Sequence, residues 1–472
     1  MSLTLEAVCA EVAKKVTPSD EERKRILDLA ERLKDKVMAA TEEEGIKARV
    51  RVEGSVSKDT WLREEPDIDI FVCVPTTIPR EKFGTRCLKI ARKATEGFKQ
   101  VERFAEHPYL ESKVDGTIVN IVPCYQVEQG GWISATDRTP FHTDYIKARL
   151  NEDVCTEIRL LKQFMKGVGV YGAEIKIGGF SGYLCELLVL DCDSFVQVLE
   201  SFADWKGRRI IDYEAFYEGK EKDVETIFEE PLVVVDPVDK GRNVAAAVRH
   251  ERLNEFVVAA REFLKNPNRM FFYPSEIVAI STQELVNALE TRGSKIIFVK
   301  FGKVDTVPDV LWGQLYKSQR SLNKMLQRHD FNIIRDSVWG DEENLNVFIF
   351  EIEKRSLPLT KRHWGPPIRK REQCEKFLQK HSGAPHTISG PRVERGRWVV
   401  EIKREHRDAV DLLTEKLRDG GRRIGVADLV AQAISRGFKV VVNEEILELY
   451  STNSELAEFL TMYLKGKPRW LR

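Results

Sequence analysis

No stretch of this chain approaches the roughly twenty consecutive apolar residues that a membrane-spanning helix requires, so a membrane protein is not expected. Neither sign of charge is in excess: 75 Lys and Arg face 75 Asp and Glu. That balance excludes a global positive field and leaves only local patches to contact nucleic acid. None of the eight cysteines (Cys9, Cys73, Cys87, Cys124, Cys155, Cys185, Cys192, Cys374) belongs to a Cys-x-x-Cys, and most sit in apolar surroundings. The expectation is buried, reduced thiols in a cytoplasmic protein, not a zinc site or a disulfide framework. Internal repeats and low-complexity segments are also missing. Residues 1–15 carry Glu6 and Glu11 within an amphipathic pattern, which does not resemble a signal peptide.

What is present is a charge-rich chain of 472 residues, 32% charged and 42% hydrophobic, long enough for two to four domains. Ser19 with Glu22 three residues on reads as a helix start, leading into Ile26, Leu27, Leu33, Val37 and Met38 at helical spacing. Strands are predicted around 47–53 and 67–74, a helix at about 80–97 and a strand near 100–104. A pair around 109–113 and 117–123 is joined by Asp115-Gly116. Residues 151–200 read as helix with Gly-rich interruptions from Gly167 to Gly182, and another helix pair is predicted at about 251–265. Beyond it, strands (295–301, 346–352, 397–403) alternate with helices (282–291, 310–329, 371–380), giving an α+β multidomain chain.

The richest interval lies between Gly54-Ser55 and Asp67-Ile68-Asp69. Strand alternation puts Asp67 and Asp69 on one face, with Ile68 and Ile70 on the other. Two adjacent carboxylates repel unless a cation lies between them, and hard oxygen ligands suit Mg²⁺. Gly54 permits close backbone approach, and Ser55 offers a hydroxyl and an N–H to a phosphate. An amphipathic edge strand with two solvated acids would show the same Asp-x-Asp; the Gly-Ser at this spacing favours nucleotidyl transfer. That chemistry wants a third carboxylate on a neighbouring strand, for which Thr117 to Tyr125 is the candidate.

With these residues in hand, the chain resembles the archaeal-type (class I) CCA-adding enzymes, tRNA nucleotidyltransferases of the DNA polymerase beta superfamily. The resemblance rests on Gly54-Ser55 with Asp67-Ile68-Asp69, Val122-Pro123-Cys124-Tyr125 and Asp137 to His142. It continues through Leu160-Leu161-Lys162, Tyr171 to Glu174, Gly179 to Glu186, and Asp236 to Ala245. It implies a polymerase-beta-like head (1–150), a helical neck completing the nucleotide pocket (151–262), and a tRNA-binding body (263–472) with an inserted tail at roughly 308–395. It further implies metal ligation by Asp67 and Asp69, with nucleotide contacts from Gly54, Ser55, Lys58, Thr139, His142, Lys162, Tyr171 and Arg242. Arg242 matches the residue that reads the incoming base. Taken singly, Lys162 also reads as a solvated helix residue, Tyr171 and His142 as turn residues, and Arg242 as the ion-pair partner of Asp236 or Asp239. The implied partners are tRNA, CTP, ATP, Mg²⁺ and a second copy of the chain.

Two positions depart from the family pattern. The catalytic carboxylate expected three residues before Pro123 is Asn120, which can offer a carbonyl to a metal but cannot accept a hydroxyl proton. Asp59 stands where relatives commonly have glycine. Three functions follow as expectations: a CCA-adding enzyme impaired at Asn120, a tRNA-binding paralogue or subunit that has lost catalysis, or another polymerase-beta-type enzyme such as a poly(A) polymerase. For the RNA side, Lys354 to Arg371 holds seven Lys or Arg and no acid. Arg362, Trp364, Arg369 and, later, Arg397 offer phosphate contacts and a stacking surface, although an exposed flexible loop would have the same composition.

Overall fold

The computed structural model describes residues 4–104 and 106–471. The chain forms two compact units, Met1–Glu276 with Lys467–Arg472, and Ile277–Gly466. The first unit begins with α1 (Leu5–Val16) and α2 (Asp20–Glu43). The start of α2 is fixed by the predicted capping box: Ser19 accepts from the Glu22 N–H, and the Glu22 carboxylate accepts from the Ser19 N–H. Then come β1 (Arg49–Glu53), the single turn α3 (Gly54–Ser57), β2 (Asp67–Pro75), α4 (Arg80–Ala94), β3 (Lys99–Phe104), β4 (Pro108–Val114) and β5 (Thr117–Gln126).

These strands make one sheet in the order β1-β2-β5-β4-β3, with β2 and β5 parallel and the other pairs antiparallel. Asp115 and Gly116, both at positive φ, make the β4–β5 turn as their sequence foretold. Ile68, Ile70, Val72 and Val74 of β2 are fully buried and pack in one cluster with Ile26, Leu29 and Leu33 of α2 and Phe83, Cys87 and Ile90 of α4. The opposite face is left for function.

The rest of this unit is mainly helical: α5 (Thr139–Lys147), α6 (Glu152–Val168), α7 (Gly182–Cys192), α8 (Phe195–Ala203), β6 (Arg209–Ile211), α9 (Glu221–Ile227), β7 (Leu232–Asp236), β8 (Asp239–Asn243) and α10 (His250–Lys265). Its core gathers around Phe164, whose ring meets those of Phe195, Phe256, Phe263, Phe271 and Phe272 at 5.3–6.2 Å. The C-terminal segment returns to this core. Trp470 is buried and stacks on Phe271 at 5.1 Å, while Arg469 donates to the Ser275 carbonyl at 2.8 Å.

The cysteine expectation is corrected at two positions. Cys73 of β2 and Cys124 of β5 are register partners with Cα atoms 4.5 Å apart, and they form a disulfide. They are 51 residues apart in sequence, so only the parallel pairing brings them together. The other six cysteines are free thiols.

The second unit contains α11 (Thr282–Arg292), β9 (Lys295–Gly302), α12 (Pro308–Arg328), β10 (Ile333–Gly340), β11 (Leu345–Ile352), β12 (Thr360–Pro367), α13 (Arg371–His381), β13 (Thr387–Glu394), β14 (Arg397–Lys403), α14 (Ala409–Leu417), α15 (Asp428–Arg436), β15 (Phe438–Val442), α16 (Leu447–Thr452) and α17 (Ser454–Lys465). The sheet β10-β11-β9-β15 buries one face against α12, α14 and α15 and the other against α11, α16 and α17. Glu351 of β11, buried, accepts from Arg292 and Arg335 at 2.7 Å each and from Ser294 at 2.6 Å. Burial alone would raise its pKa; the hydrogen bonds from Arg292, Ser294 and Arg335 outweigh it and hold it at about 2. A second, three-stranded sheet runs in the order β12-β14-β13. The basic tract is therefore not a loop throughout, because its centre is β12.

Candidate active site

The functional face of the first sheet carries one row of polar residues in register: Glu53 of β1, Asp69 of β2, Asn120 of β5 and Glu111 of β4. Directly opposed residues on paired strands point the same way, so this row and Asp67 share a face. The Asn120 side-chain N–H donates to Asp69 Oδ1 at 3.1 Å. Asp69 Oδ2 lies against Gly54, where a Cβ would come within 2.1 Å of it, and Gly54 has φ +71°. Glycine is required here twice over, by backbone conformation and by the carboxylate beside it. Burial pushes Asp69 up to about 6; Asn120 opposes this, Asp67 adds to it and Lys58 opposes it. Asp67 is also raised, first by loss of water and then by Glu65. Two carboxylates that resist ionisation side by side, next to the Asn120 amide, fit a hard divalent cation.

Glu53 went unread in the sequence. It is fully buried and pairs with Arg51 at 2.5 Å, while Arg51 also holds Asp144 of α5. Burial raises its pKa, opposed by Thr143 and Arg51. An acid closing an alternating strand directly before a glycine is the signal that marked it.

Lys58 and Lys162 meet at a residue that the sequence named only within a motif. Glu186 of α7 accepts from Lys58 at 2.5 Å, from Lys162 at 3.1 Å and from the Thr60 hydroxyl at 2.7 Å. All four side chains are buried. Burial would raise Glu186, but the two ammonium groups outweigh it and hold it well below the usual carboxylate range. Burial lowers Lys162, and Glu186 resists that. One carboxylate between two lysines leaves one positive charge to meet an anion. Tyr171 joins them: a Cβ on Gly182 would lie 3.0 Å from its hydroxyl and 3.6 Å from Lys162 Nζ. A lone acid in the apolar run from Leu184 to Leu190 was the available sign of a buried pair.

His142 and Arg242 meet at a second buried acid. Asp236, at the end of β7, bonds His142 Nε2 at 2.8 Å and accepts from Arg242 at 2.6 Å and from the Tyr183 hydroxyl at 3.2 Å. Burial would raise Asp236; His142 and Arg242 outweigh it and keep it ionised. Burial lowers His142, with Asp236 opposing. The ion pair of Arg242 with Asp236 occupies one of its terminal nitrogens. His142 stacks on Tyr183 at 4.1 Å, and Lys58 lies 5.9 Å from the centre of that ring, which links the two clusters. Buried Asp137 accepts from the backbone N–H groups of Tyr125, Ile133 and Ser134, tying the end of β5 to the loop that starts α5 at Thr139, one turn before His142.

Asp59 does not crowd the site. Its φ of +50° suits a position where a glycine would serve, and its carboxylate is taken by Arg23 at 3.2 Å and by buried Arg159 at 2.8 Å.

In the second unit, Arg362 and Trp364 lie on the exposed face of β12, with the guanidinium 5.7 Å from the Trp364 ring. Arg362 also pairs with Glu394 at 3.1 Å. Arg397 donates to the Gly365 carbonyl at 2.9 Å, and Arg369 is exposed in the turn before α13. An open groove of about 530 Å³ runs past Trp364, Lys370, Lys376, Lys380 and Arg397.

A mixed sheet presenting paired carboxylates beside a glycine turn, with buried cations gathered by acids, defines the nucleotidyltransferase class. The profile of a nucleotidyltransferase domain matches residues 30–146. Profiles described as "tRNA nucleotidyltransferase, second domain" and "CCA-adding enzyme, C-terminal domain" match residues 156–273 and 292–443. The chain is 36% identical over 456 residues to the CCA-adding enzyme of Methanothermobacter thermautotrophicus, covering 96% of this chain and 97% of that one. It is 38% identical to that of Methanosarcina barkeri (93% and 94% covered) and 33% identical to that of Haloarcula marismortui (95% and 97%). The chain belongs to the CCA-adding enzyme family of tRNA nucleotidyltransferases.

Proposed function

We propose that this enzyme completes the 3′ end of tRNA with C, C and A, using CTP and ATP, and that Asn120 slows it. The observation that supports this reading is that Asp69 opposes Asn120 in register beside Gly54, with Asp67 on the same face and an amide where the resemblance implies a third carboxylate. Asp67 and Asp69, with the Asn120 carbonyl, would hold Mg²⁺, which when bound polarises the α-phosphate and lowers the pKa of the attacking hydroxyl. Lys58, Lys162 and Tyr171, steadied by Glu186, meet the triphosphate together with Ser55 and Thr139. His142 and Arg242, steadied by Asp236, face the incoming nucleotide, and the remaining guanidinium donors of Arg242 read its base. The tRNA 3′-hydroxyl attacks the α-phosphorus, a P–O bond forms, and the bond to pyrophosphate breaks. With no carboxylate at position 120, the proton of the attacking hydroxyl passes to water, and loss of a general base costs about 10²–10⁴ in rate.

Head, neck and tailed body follow the family division of 1–150, 151–262 and 263–472. Arg362, Trp364, Arg369 and Arg397 grip the tRNA. The resemblance also supports a homodimer acting in the cytoplasm. Asn120 favours one second reading, a tRNA-binding relative that has given up catalysis. The test is incorporation of CTP and ATP into tRNA lacking its 3′ terminus. We expect slow addition that stops after CCA and is abolished by Asp69→Asn. No incorporation by either the parent or Asn120→Asp, with tRNA binding intact, would establish the binding-only reading. Unlimited adenylation of generic RNA would instead indicate a poly(A) polymerase.

A further inference from the structure

We propose that His329, Glu405 and His406 form a site for a divalent transition metal of the Zn²⁺ type, unconnected with the nucleotidyl-transfer carboxylates. His329 caps the C-terminus of α12, and His406 lies in the connection from β14 to α14. One ligand atom from each of the three side chains lies within 4.8 Å of the others. The two imidazole rings have centroids 5.2 Å apart.

The hydrogen bonding of the two imidazoles suits a ligand set. His329 Nδ1 lies 2.9 Å from the Met325 carbonyl, which can only accept, so Nδ1 carries the proton and Nε2 presents its lone pair. The His406 side chain is only 8% exposed, and its buried Nε2 has no hydrogen-bond partner. Burying a ring nitrogen unsatisfied is costly, and a metal ion would satisfy it. Glu405 Oε1 lies 3.7 Å from that same nitrogen, and Glu415 Oε2 lies 3.7 Å from Nδ1 on the other side of the ring. Glu415 thus occupies the place of the carboxylate that orients a metal-bound histidine.

The segment is held from both ends. The Arg404 N–H donates to the Leu359 carbonyl at 2.7 Å, the Leu357 N–H to the Arg407 carbonyl at 2.8 Å, and Asp408 caps α14 while pairing with Arg355. Asp330 takes up the nearby charges of Lys361 and Arg404. Tetrahedral ligands at about 2.0–2.2 Å from zinc lie roughly 3.4 Å from one another. The donors must therefore close by up to about 1.4 Å, and the exposed Glu405 side chain is free to supply its share of that movement. Two imidazoles and one carboxylate favour zinc or cobalt over magnesium or calcium, with water as fourth ligand. The ion would staple α12 to the point where the chain leaves the three-stranded sheet and enters α14.

The experiment uses the full chain, stripped by a chelator and returned to excess Mg²⁺ so that the hard-oxygen site is saturated. Co²⁺ is titrated by its visible d–d absorption, and Zn²⁺ then by displacement of that signal. We expect one equivalent with tetrahedral bands. His329→Gln and His406→Gln should abolish the bands, and Asp67→Asn should keep them. Glu405→Ala, which alters only an exposed side chain, should weaken binding about tenfold or more. Absence of tetrahedral Co²⁺ bands in the parent, or unchanged binding in Glu405→Ala together with either histidine variant, would overturn the proposal.

Discussion

Replacing Asn120 with Asp should make the protein less stable without metal and a faster enzyme with it. The present amide donates to Asp69 Oδ1 at 3.1 Å. A carboxylate there would remove a hydrogen bond to an ionised acceptor and put a second negative charge at that distance. At an effective dielectric of 20 the repulsion is about 5 kcal/mol. Proton uptake is the cheaper escape. Asp69 already sits at about 6, so protonating it at pH 7 costs about 1 kcal/mol, after which the pair shares that proton. The variant should therefore lose about 1 kcal/mol of stability at pH 7 in chelator, and about 3 kcal/mol at pH 8. The sign follows from the raised pKa of an acid, whose cost grows as pH rises. Saturating Mg²⁺ should reverse the loss, because the cation neutralises the added charge. Urea unfolding at the two pH values, with and without Mg²⁺, measures this. Single-turnover CTP addition should rise by about 10²–10⁴. Equal stability in chelator at both pH values, with an unchanged rate, would refute the placement of Asn120 beside the Asp69 carboxylate.

Other outcomes follow from the same geometry. Gly54→Ala forces a Cβ to within 2.1 Å of Asp69 Oδ2 at a φ of +71°, so it should cost about 1–2 kcal/mol by urea unfolding and lower CTP addition more than a hundredfold. Glu351→Gln should remove stability that is present above pH 4.5 and lost as pH falls towards about 2. The full shift would be worth about 3 kcal/mol, and with Arg292 and Arg335 each more than a quarter exposed about 2 kcal/mol should remain. Parent and variant should therefore differ at pH 7 and converge near pH 2. Trp364→Ala should raise the KM for tRNA about tenfold or more, as expected for one lost base stack, and leave the KM for CTP unchanged.

Local signals in the sequence carried far. The Ser19–Glu22 box, the alternation from Asp67 to Val74 and the Asp115-Gly116 turn each express chemistry contained within a few residues, and each appears where expected. The strand β12 was hidden by its composition, since Lys361, Arg362 and His363 do not resemble a buried apolar run. The Arg242–Asp236 ion pair was one of the readings of the sequence and is formed, whereas Glu186 and the His142–Asp236 pair were hidden for another reason. Their importance lies in partners as far as 128 and 94 residues away, and only the packing of α7 and β7 brings those cations to them. The Cys73–Cys124 bond belongs to the same class, because it depends on the register of two parallel strands.

The placement of Trp470 has a consequence for synthesis. Domains emerging from a ribosome ordinarily mature from the N-terminal end. Here the first unit holds the stacked indole of Trp470 in a core that also contains Phe164 and Phe263. All of Ile277–Gly466 must be translated before that indole arrives. The unit that is begun first is thus completed after the second, and the nascent polypeptide carries an unfilled aromatic socket until Trp470 has been made.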